Sequence, residues 1–189
     1  MDFRYTEELD NKTFRIFKLE PGQKTDDLRG SLQTHSFNSP PQYEALSYVW
    51  GPMDRNKSMN CDGQEFKITN SLDIALRRPR LFDTSRFLWI GQICINQRSN
   101  KERSTQVSLM KSIYSQASLV NAWLGPIDRD EANSAKEIIT TLARLKEFSS
   151  DTKHFPEDEK LLEYNLPARS SPAWSRLNSM MGATYFSRV

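Results

Sequence analysis

Polar side chains that could bind or transform a ligand are concentrated in one short segment, CINQRSNKER, residues 94–103. Asn96 and Gln97 carry amide groups that can both donate and accept hydrogen bonds. Arg103 carries a planar cation, and Glu102 carries a carboxylate that could act as a base or stabilise positive charge. The segment is therefore the first candidate site of this chain.

The elements around this segment predict where it lies. The pattern indicates a buried strand over 87–95, an amphipathic helix over about 99–118 and a second strand over 119–124. Strand, helix and strand at this spacing form a βαβ unit, which needs parallel strands and a right-handed crossover. The helix should pack on the sheet through Val107, Met110 and Ile113. Ligands of open α/β sheets bind beyond the carboxyl ends of the strands, where the candidate segment falls.

A third predicted strand, YEALSYVW at 43–50, brings further candidates to the same edge. Tyr48 and Trp50 lie near its end, and Gly51 with the following proline stops it. Aromatic side chains at a strand end are more often part of the core than part of a binding rim, so both interpretations stay open.

Glu102 also has two interpretations. Ser99 and Glu102 have the spacing of a capping box, in which the serine caps the helix and the glutamate bonds back to the serine amide. Capping is the favoured interpretation from the residues alone. A position near the buried stripe of the helix would alternatively let Glu102 face a cleft.

The first third of the chain is predicted to be rich in antiparallel strands. Runs at 3–9 and 13–22 flank the turn residues Asp10 and Asn11 and predict a hairpin. A second hairpin is expected over 58–68 around Asp62 and Gly63, where both turn residues need positive φ. Beyond Gly125, amphipathic helices are expected. The fold class is therefore α/β, with an N-terminal antiparallel β element.

Composition limits the partners. The 26 Lys and Arg nearly balance the 24 Asp and Glu and form no basic block, so nucleic acid is not expected. No apolar run is long enough for a membrane span, and the start of the chain is not typical of a signal peptide, so we expect a cytoplasmic protein. Cys61 and Cys94 are expected to be free thiols, and no metal-ligand spacing is present.

Successive motifs of the chain resemble those of the fungal heterokaryon incompatibility (HET) domain. The resemblance extends from FRIFKLEPG near the N-terminus to YFSRV at the end, so it implies a single HET-like domain over 1–189. Because the last motif of the family normally continues, the resemblance also implies truncation after Val189. The motifs that carry it most specifically are YEALSYVWG at 43–51, LWIGQICINQ at 88–97, ERSTQVSLMKSIYSQA at 102–117 and WLG at 123–125.

The resemblance implies a domain that triggers programmed cell death when genetically different hyphae fuse. HET domains are also regarded as distant relatives of TIR domains, which implies a flavodoxin-like, mostly parallel sheet flanked by helices, and cleavage of NAD as substrate. Glu102 would then be the catalytic carboxylate, and the active form would be a homo-oligomer. The nucleotide-binding residues would be Tyr48, Trp50, Gly51, Gly91, Asn96, Gln97 and Arg103.

Gly91 departs from the family pattern, which usually has Asp after LWI. Glycine inside a strand packs nothing, so the change is not a packing improvement. It leaves the activity of this chain open. Two function classes therefore remain: a NAD glycohydrolase, and a signalling module that kills through self-association and uses Glu102 only as a cap.

Overall fold

The computed structural model describes residues 2–126, 129–144 and 157–181. The chain divides into two compact units, Met1–Gly125 and Pro126–Val189, and each is described by itself. The prediction of a single domain over 1–189 stays a prediction. The expected truncation concerns Val189, which lies outside the described residues. Within the described parts of the chain, no helix has the length and apolar character needed to cross a membrane.

The first unit contains one seven-stranded sheet and three helices. The strands are β1 Thr13–Leu19, β2 Arg29–Ser36, β3 Glu44–Tyr48, β4 Lys57–Cys61, β5 Gln64–Ile68, β6 Arg86–Trp89 and β7 Leu119–Trp123, and the helices are α1 Asn70–Arg77, α2 Gly91–Cys94 and α3 Asn100–Gln116. Their order across the sheet is β5-β4-β2-β1-β6-β3-β7. The predicted α/β class is confirmed.

The βαβ section of the sheet is formed by β6, β3 and β7. Glu44 of β3 is aligned with Leu88 of β6 on one side and with Leu119 of β7 on the other, and both pairings are parallel. The strands around 87 and 119 therefore belong to one parallel section, as predicted, with β3 between them. Tyr43 ties α3 to this section, because its hydroxyl donates to the Ile113 carbonyl oxygen at 2.6 Å.

The rest of the sheet is more antiparallel than predicted. Pairs β1–β2, β1–β6 and β4–β5 are antiparallel, and β2–β4 is parallel, so the sheet is mixed rather than mostly parallel. The predicted hairpin between 3–9 and 13–22 is wrong, since β1 pairs with β2. The sequence RGSLQTHS of β2 is largely polar and shows no apolar alternation, so it does not predict a strand.

The predicted strand over 87–95 ends early. Strand β6 stops at Trp89, and Gly91–Cys94 form α2, where the amides of Ile93 and Cys94 donate to the Ile90 carbonyl oxygen. Gly91 is consequently the first residue of a short helix rather than a mid-strand residue. A short apolar run fits a buried strand and a buried helical turn equally well, so periodicity could not separate them.

The predicted hairpin turn is confirmed by backbone geometry. Asp62 and Gly63 have φ of 52° and 77° and connect β4 to β5 as a tight hairpin. Helix α1 follows β5 and is capped by Thr69, whose side chain accepts a hydrogen bond from the Leu72 amide.

Helix α3 packs through two of the three predicted residues. Ile113 is buried and Met110 is partly buried against the core, as expected, but Val107 is 52% exposed. The buried positions of the first turns are instead the polar residues Glu102 and Gln106. Polar contacts, not apolar ones, thus orient the N-terminal half of α3.

The second unit is helical where it is described. Its helices are α4 Arg129–Arg144, α5 Asp158–Glu163 and α6 Pro172–Met181. Ile138, Leu161 and Leu166 form its buried apolar cluster. The Trp174 indole packs against this cluster and donates to the Pro167 carbonyl oxygen at 2.9 Å.

Both cysteines are free and buried in the core of the first unit. Cys94 ends α2, and its burial raises the pKa of the thiol to about 12. Cys61 ends β4, and burial raises the pKa of this thiol as well. Thiolate formation is therefore suppressed at both positions.

We predict that neither thiol reacts with Ellman's reagent while the protein is folded, because each is buried and protonated at neutral pH. Both should react at once in guanidinium chloride. Rapid reaction of either thiol in the native protein, followed by the absorbance of the released product, would contradict the burial described here.

Candidate functional site

Glu102 is positioned by the first turn of α3. Ser99 is the N-cap, and its hydroxyl accepts a hydrogen bond of 3.1 Å from the Glu102 amide, so the predicted cap is confirmed. The Ser99 amide, however, donates to the Asn96 carbonyl oxygen. The Glu102 side chain is therefore not used for the return bond of a capping box.

The Glu102 carboxylate is fully buried, with 0% of the residue exposed. Its Oε1 accepts hydrogen bonds of 2.7 Å from Arg15 Nη1 and 2.7 Å from the Asn96 amide. Its Oε2 accepts from Arg15 Nη2 at 3.2 Å and from the Leu9 amide at 3.1 Å. The guanidinium neutralises the charge, and the two amides satisfy the remaining acceptor sites, which is the condition for burying a carboxylate.

Arg15, like Glu102, is buried and makes several hydrogen bonds. It is 3% exposed, and besides Glu102 it donates to the carbonyl oxygens of Cys94, at 3.2 Å, and of Glu7. Its guanidinium lies 4.5 Å from the centre of the Tyr5 ring, in a cation–π contact. The Arg15–Glu102 pair thus connects β1, the N-terminal segment and the beginning of α3.

Gln106 extends this connection by one helical turn. Its Nε2 donates at 2.9 Å to the carbonyl oxygens of both Asp10 and Thr13. Because residues four apart share one face of a helix, Glu102 and Gln106 together hold the chain over 9–13 against α3.

The catalytic role of Glu102 stays a prediction. Arg15 and the amides of Leu9 and Asn96 donate four hydrogen bonds to its oxygens, and the carboxylate has no exposed surface. For Glu102 to reach a substrate, it would have to leave Arg15 and expose a buried cation. The geometry is that of a structural ion pair.

A second group of predicted residues meets at α2. A Cβ built on Gly91 would lie 3.8 Å from Trp50 Cζ2 and 3.5 Å from Trp89 Cη2, both ordinary contacts. Gln97 Nε2 donates to the Gly91 carbonyl oxygen at 2.8 Å and to that of Ile95 at 3.2 Å. Gln97 therefore stabilises α2 and retains only its Oε1 for other partners.

The remaining predicted residues are Tyr48, Gly51 and Arg103. Tyr48 is buried at the end of β3, in the apolar cluster against which Trp50 packs, and Gly51 has a φ of +68°, which favours glycine. Arg103 is exposed on α3 and donates to Asn100 Oδ1 at 3.0 Å. The structure therefore joins Asn96 to Glu102, and Gln97 and Trp50 to Gly91. Ligand binding by any of them stays a prediction.

Asn96 and Gln97 also line an open groove of about 350 Å³, which we call the arginine groove. Its walls come from three stretches of the first unit: the N-terminal segment, the loop before β4 together with β5, and the α2–α3 connection. The lining residues are Asp2, Phe3, Arg4, Tyr5, Arg55, Glu65, Phe66, Lys67, Asn96, Gln97 and Arg98.

Sequence reasoning did not single out Arg15 or the arginines of the groove. For Arg15 a signal was present: it lies between Phe14 and Ile16 in an apolar strand, and all three residues are buried. A cation in such a run needs a buried partner. Nothing in the sequence indicated that the partner is Glu102, 87 residues further along the chain. Among the described residues, no group of His, Cys, Asp and Glu is placed to bind a metal ion.

Comparison with known proteins identifies the family of this chain. The family described as "Heterokaryon incompatibility protein (HET)" matches residues 43–189. The chain belongs to the heterokaryon incompatibility (HET) family. It is also 38% identical over 162 residues to "Heterokaryon incompatibility protein 6, OR allele" of Neurospora crassa, which covers 78% of this chain. The chain spans only 23% of the length of that relative. No solved structure matches the chain.

Only one residue of the Arg15–Glu102 ion pair lies in the region that matches the HET family. This region begins at Tyr43, just before β3, and so includes Glu102 of α3 but not Arg15 of β1. The resemblance expected from the motifs is confirmed. The matched region, however, obtains the counter-charge for its buried carboxylate from a strand outside the match.

We predict that Glu102→Gln lowers the free energy of unfolding by roughly 3 kcal/mol, because it leaves the Arg15 cation buried without a counter-charge. Arg15→Met should cost a similar amount, and the double variant should cost less than the sum of the two by about 1 kcal/mol or more, since the residues are in contact. Chemical denaturation of the four proteins measures this coupling.

The matched control is Glu8→Gln. Glu8 pairs with Lys101 in the first turn of the same helix, but that pair is exposed, so the unfolding transition should stay close to wild type. If the effects of Arg15→Met and Glu102→Gln simply added, the pair would not be the coupled unit described here.

We predict that Gly91→Asp is tolerated and raises the free energy of unfolding by up to about 1 kcal/mol, because a side chain reduces the freedom of the unfolded chain where the native backbone accepts it. The nearest atoms to the added Cβ are at 3.5 Å, so no neighbour has to move. Gly91→Ala is the control that separates the backbone effect from the carboxylate. A clear loss of stability in both variants would mean that glycine is required here.

Proposed function

We propose that this chain acts in fungal heterokaryon incompatibility, as a HET domain that triggers programmed cell death in the cytoplasm. Membership of the HET family and the 38% identity to the Neurospora crassa incompatibility protein support this proposal. Because the chain corresponds to a minor part of that relative, its activity and partners are inferred rather than transferred.

For the mechanism, we propose a signalling module that acts through self-association, in which Glu102 is structural. The observation that supports the structural role of Glu102 is the buried Arg15–Glu102 pair, with 0% of Glu102 exposed and both of its oxygens hydrogen-bonded; self-association is the alternative that remains when Glu102 is not catalytic. A catalytic carboxylate has to contact substrate at some point of the reaction cycle. Glu102 instead holds three segments of the first unit together.

TIR-like cleavage of NAD is the competing mechanism. It would need Glu102 to part from Arg15, and the cost of separating a buried pair, roughly 3–5 kcal/mol, would have to come from substrate binding. The open groove beside Asn96 and Gln97 is the structural feature that supports a nucleotide substrate.

We predict that the purified chain releases no nicotinamide from NAD, and that Gly91→Asp releases none either. Liquid chromatography of the reaction mixture measures free nicotinamide directly. Release by either protein, abolished by Glu102→Gln at a temperature where that variant is folded, would replace this proposal with the enzymatic one.

Cell killing provides the second arm of the same experiment. Arg15→Gln and Glu102→Gln break one ion pair from opposite sides, so a structural role predicts that both reduce killing in parallel with the amount of folded protein. A catalytic role predicts that Glu102→Gln abolishes killing even at full folding, whereas Arg15→Gln retains part of it. Immunoblotting and thermal unfolding supply the folded fraction for the comparison.

A further inference from the structure

The arginine groove is lined by arginines from segments that are distant in sequence. Arg4 belongs to the N-terminal segment, Arg55 precedes β4, and Arg98 lies between α2 and α3. Each lines the same open groove, and none of the three has an ion-pair partner among the described residues. Unpaired guanidinium groups around one concave surface favour binding of an anion.

The charge of the groove indicates how much negative charge a ligand should carry. Four lining residues are cationic and two are anionic, which leaves two positive charges uncompensated. One of the two acids, Glu65, is already paired with Lys67. A phosphate monoester, with about −1.5 to −2 at neutral pH, matches this excess, and guanidinium groups bind phosphate oxygens in a bidentate manner.

The floor of the groove is aromatic. Phe3 and Tyr5 pack edge to face, with their ring centres 5.0 Å apart, and Phe3 also contacts the ring of buried Phe66 at 4.9 Å. Phe3 and Tyr5 are only partly buried, and both line the groove. Phe3, and the part of the Tyr5 ring that Arg15 does not cover, can contact a planar, apolar part of a ligand.

The polar contacts of the wall keep the groove in shape. The Phe3 amide donates to the Glu65 carbonyl oxygen at 2.9 Å, which fixes the N-terminal segment along β5. The Tyr5 hydroxyl donates to the carbonyl oxygens of Ile93 and Ile95, and the Asn96 amide donates to Glu102. The groove is therefore attached to the buried ion pair and is largely formed before any ligand arrives.

We propose that the arginine groove is a binding site for a small organic phosphate monoester with a planar aromatic body. Arg4, Arg55 and Arg98 bind the phosphate, and Phe3 and Tyr5 contact the ring. A volume of about 350 Å³ suits a small molecule rather than a protein segment. The site does not include Glu102 and needs no chemical step, so it holds under either mechanism of cell killing.

The test is isothermal titration calorimetry of the full chain with AMP at low salt. Glycerol 3-phosphate, which has the phosphate without the aromatic ring, and adenosine, which has the ring without the phosphate, are titrated for comparison. We expect AMP to bind more tightly than glycerol 3-phosphate, adenosine to bind weakest, and AMP affinity to fall as salt is raised. The combined Arg55→Gln and Arg98→Gln variant should weaken AMP binding by roughly tenfold or more, as loss of charge-assisted hydrogen bonds does.

The combined Arg29→Gln and Arg78→Gln variant is the matched control. Both are exposed arginines outside the groove, so their loss removes the same two charges and should change AMP affinity by no more than about twofold. Absence of AMP binding at millimolar concentration would overturn the proposal, and so would AMP binding that the groove variant leaves unchanged. Equal affinity for AMP and glycerol 3-phosphate would overturn the aromatic part of it. Circular dichroism of each variant verifies that the fold is retained.

Discussion

The structure depends on one buried ion pair. Arg15 and Glu102 have side-chain exposures of 4% and 0%, and they join strand β1 to the first turn of α3. Neither charge could be buried alone without a penalty of several kcal/mol, so each residue fixes the position of the other. The same carboxylate accepts hydrogen bonds from the amides of Leu9 and Asn96. Three chain segments therefore meet at this pair.

This constraint explains how an irregular N-terminal segment can form part of a defined surface. Residues 3–10 belong to no strand, yet Glu102, Gln106 and the carbonyl oxygens that accept from Tyr5 hold them against α2 and α3. The arginine groove follows from that arrangement, since one wall is the held segment and another is the connection that carries Asn96. A site built in this way can vary in its side chains while the ion pair keeps its geometry.

Local patterns predicted much of the fold. The Asp62-Gly63 turn, the Ser99 cap and the parallel strands around 43, 87 and 119 follow from turn chemistry, capping and apolar runs, all of which act over a few residues. The polar strand β2 and the short helix α2 were missed, because their patterns also fit a loop and a strand. For the site, the sequence placed Asn96, Gln97 and Glu102 close together, but it did not predict that Glu102 is buried. That outcome is determined by Arg15, and a contact across 87 residues leaves no local periodicity.

The most direct test of the account is hydrogen exchange of two backbone amides. Leu9 and Asn96 both lie in irregular segments, and both donate to the Glu102 carboxylate. If the carboxylate is a permanent buried acceptor, their exchange measured by NMR should be as slow as that of the Ile113 amide in the core-facing part of α3. Exchange of both amides at the rate of an exposed loop would show that Glu102 is released from its partners, and would contradict its structural role.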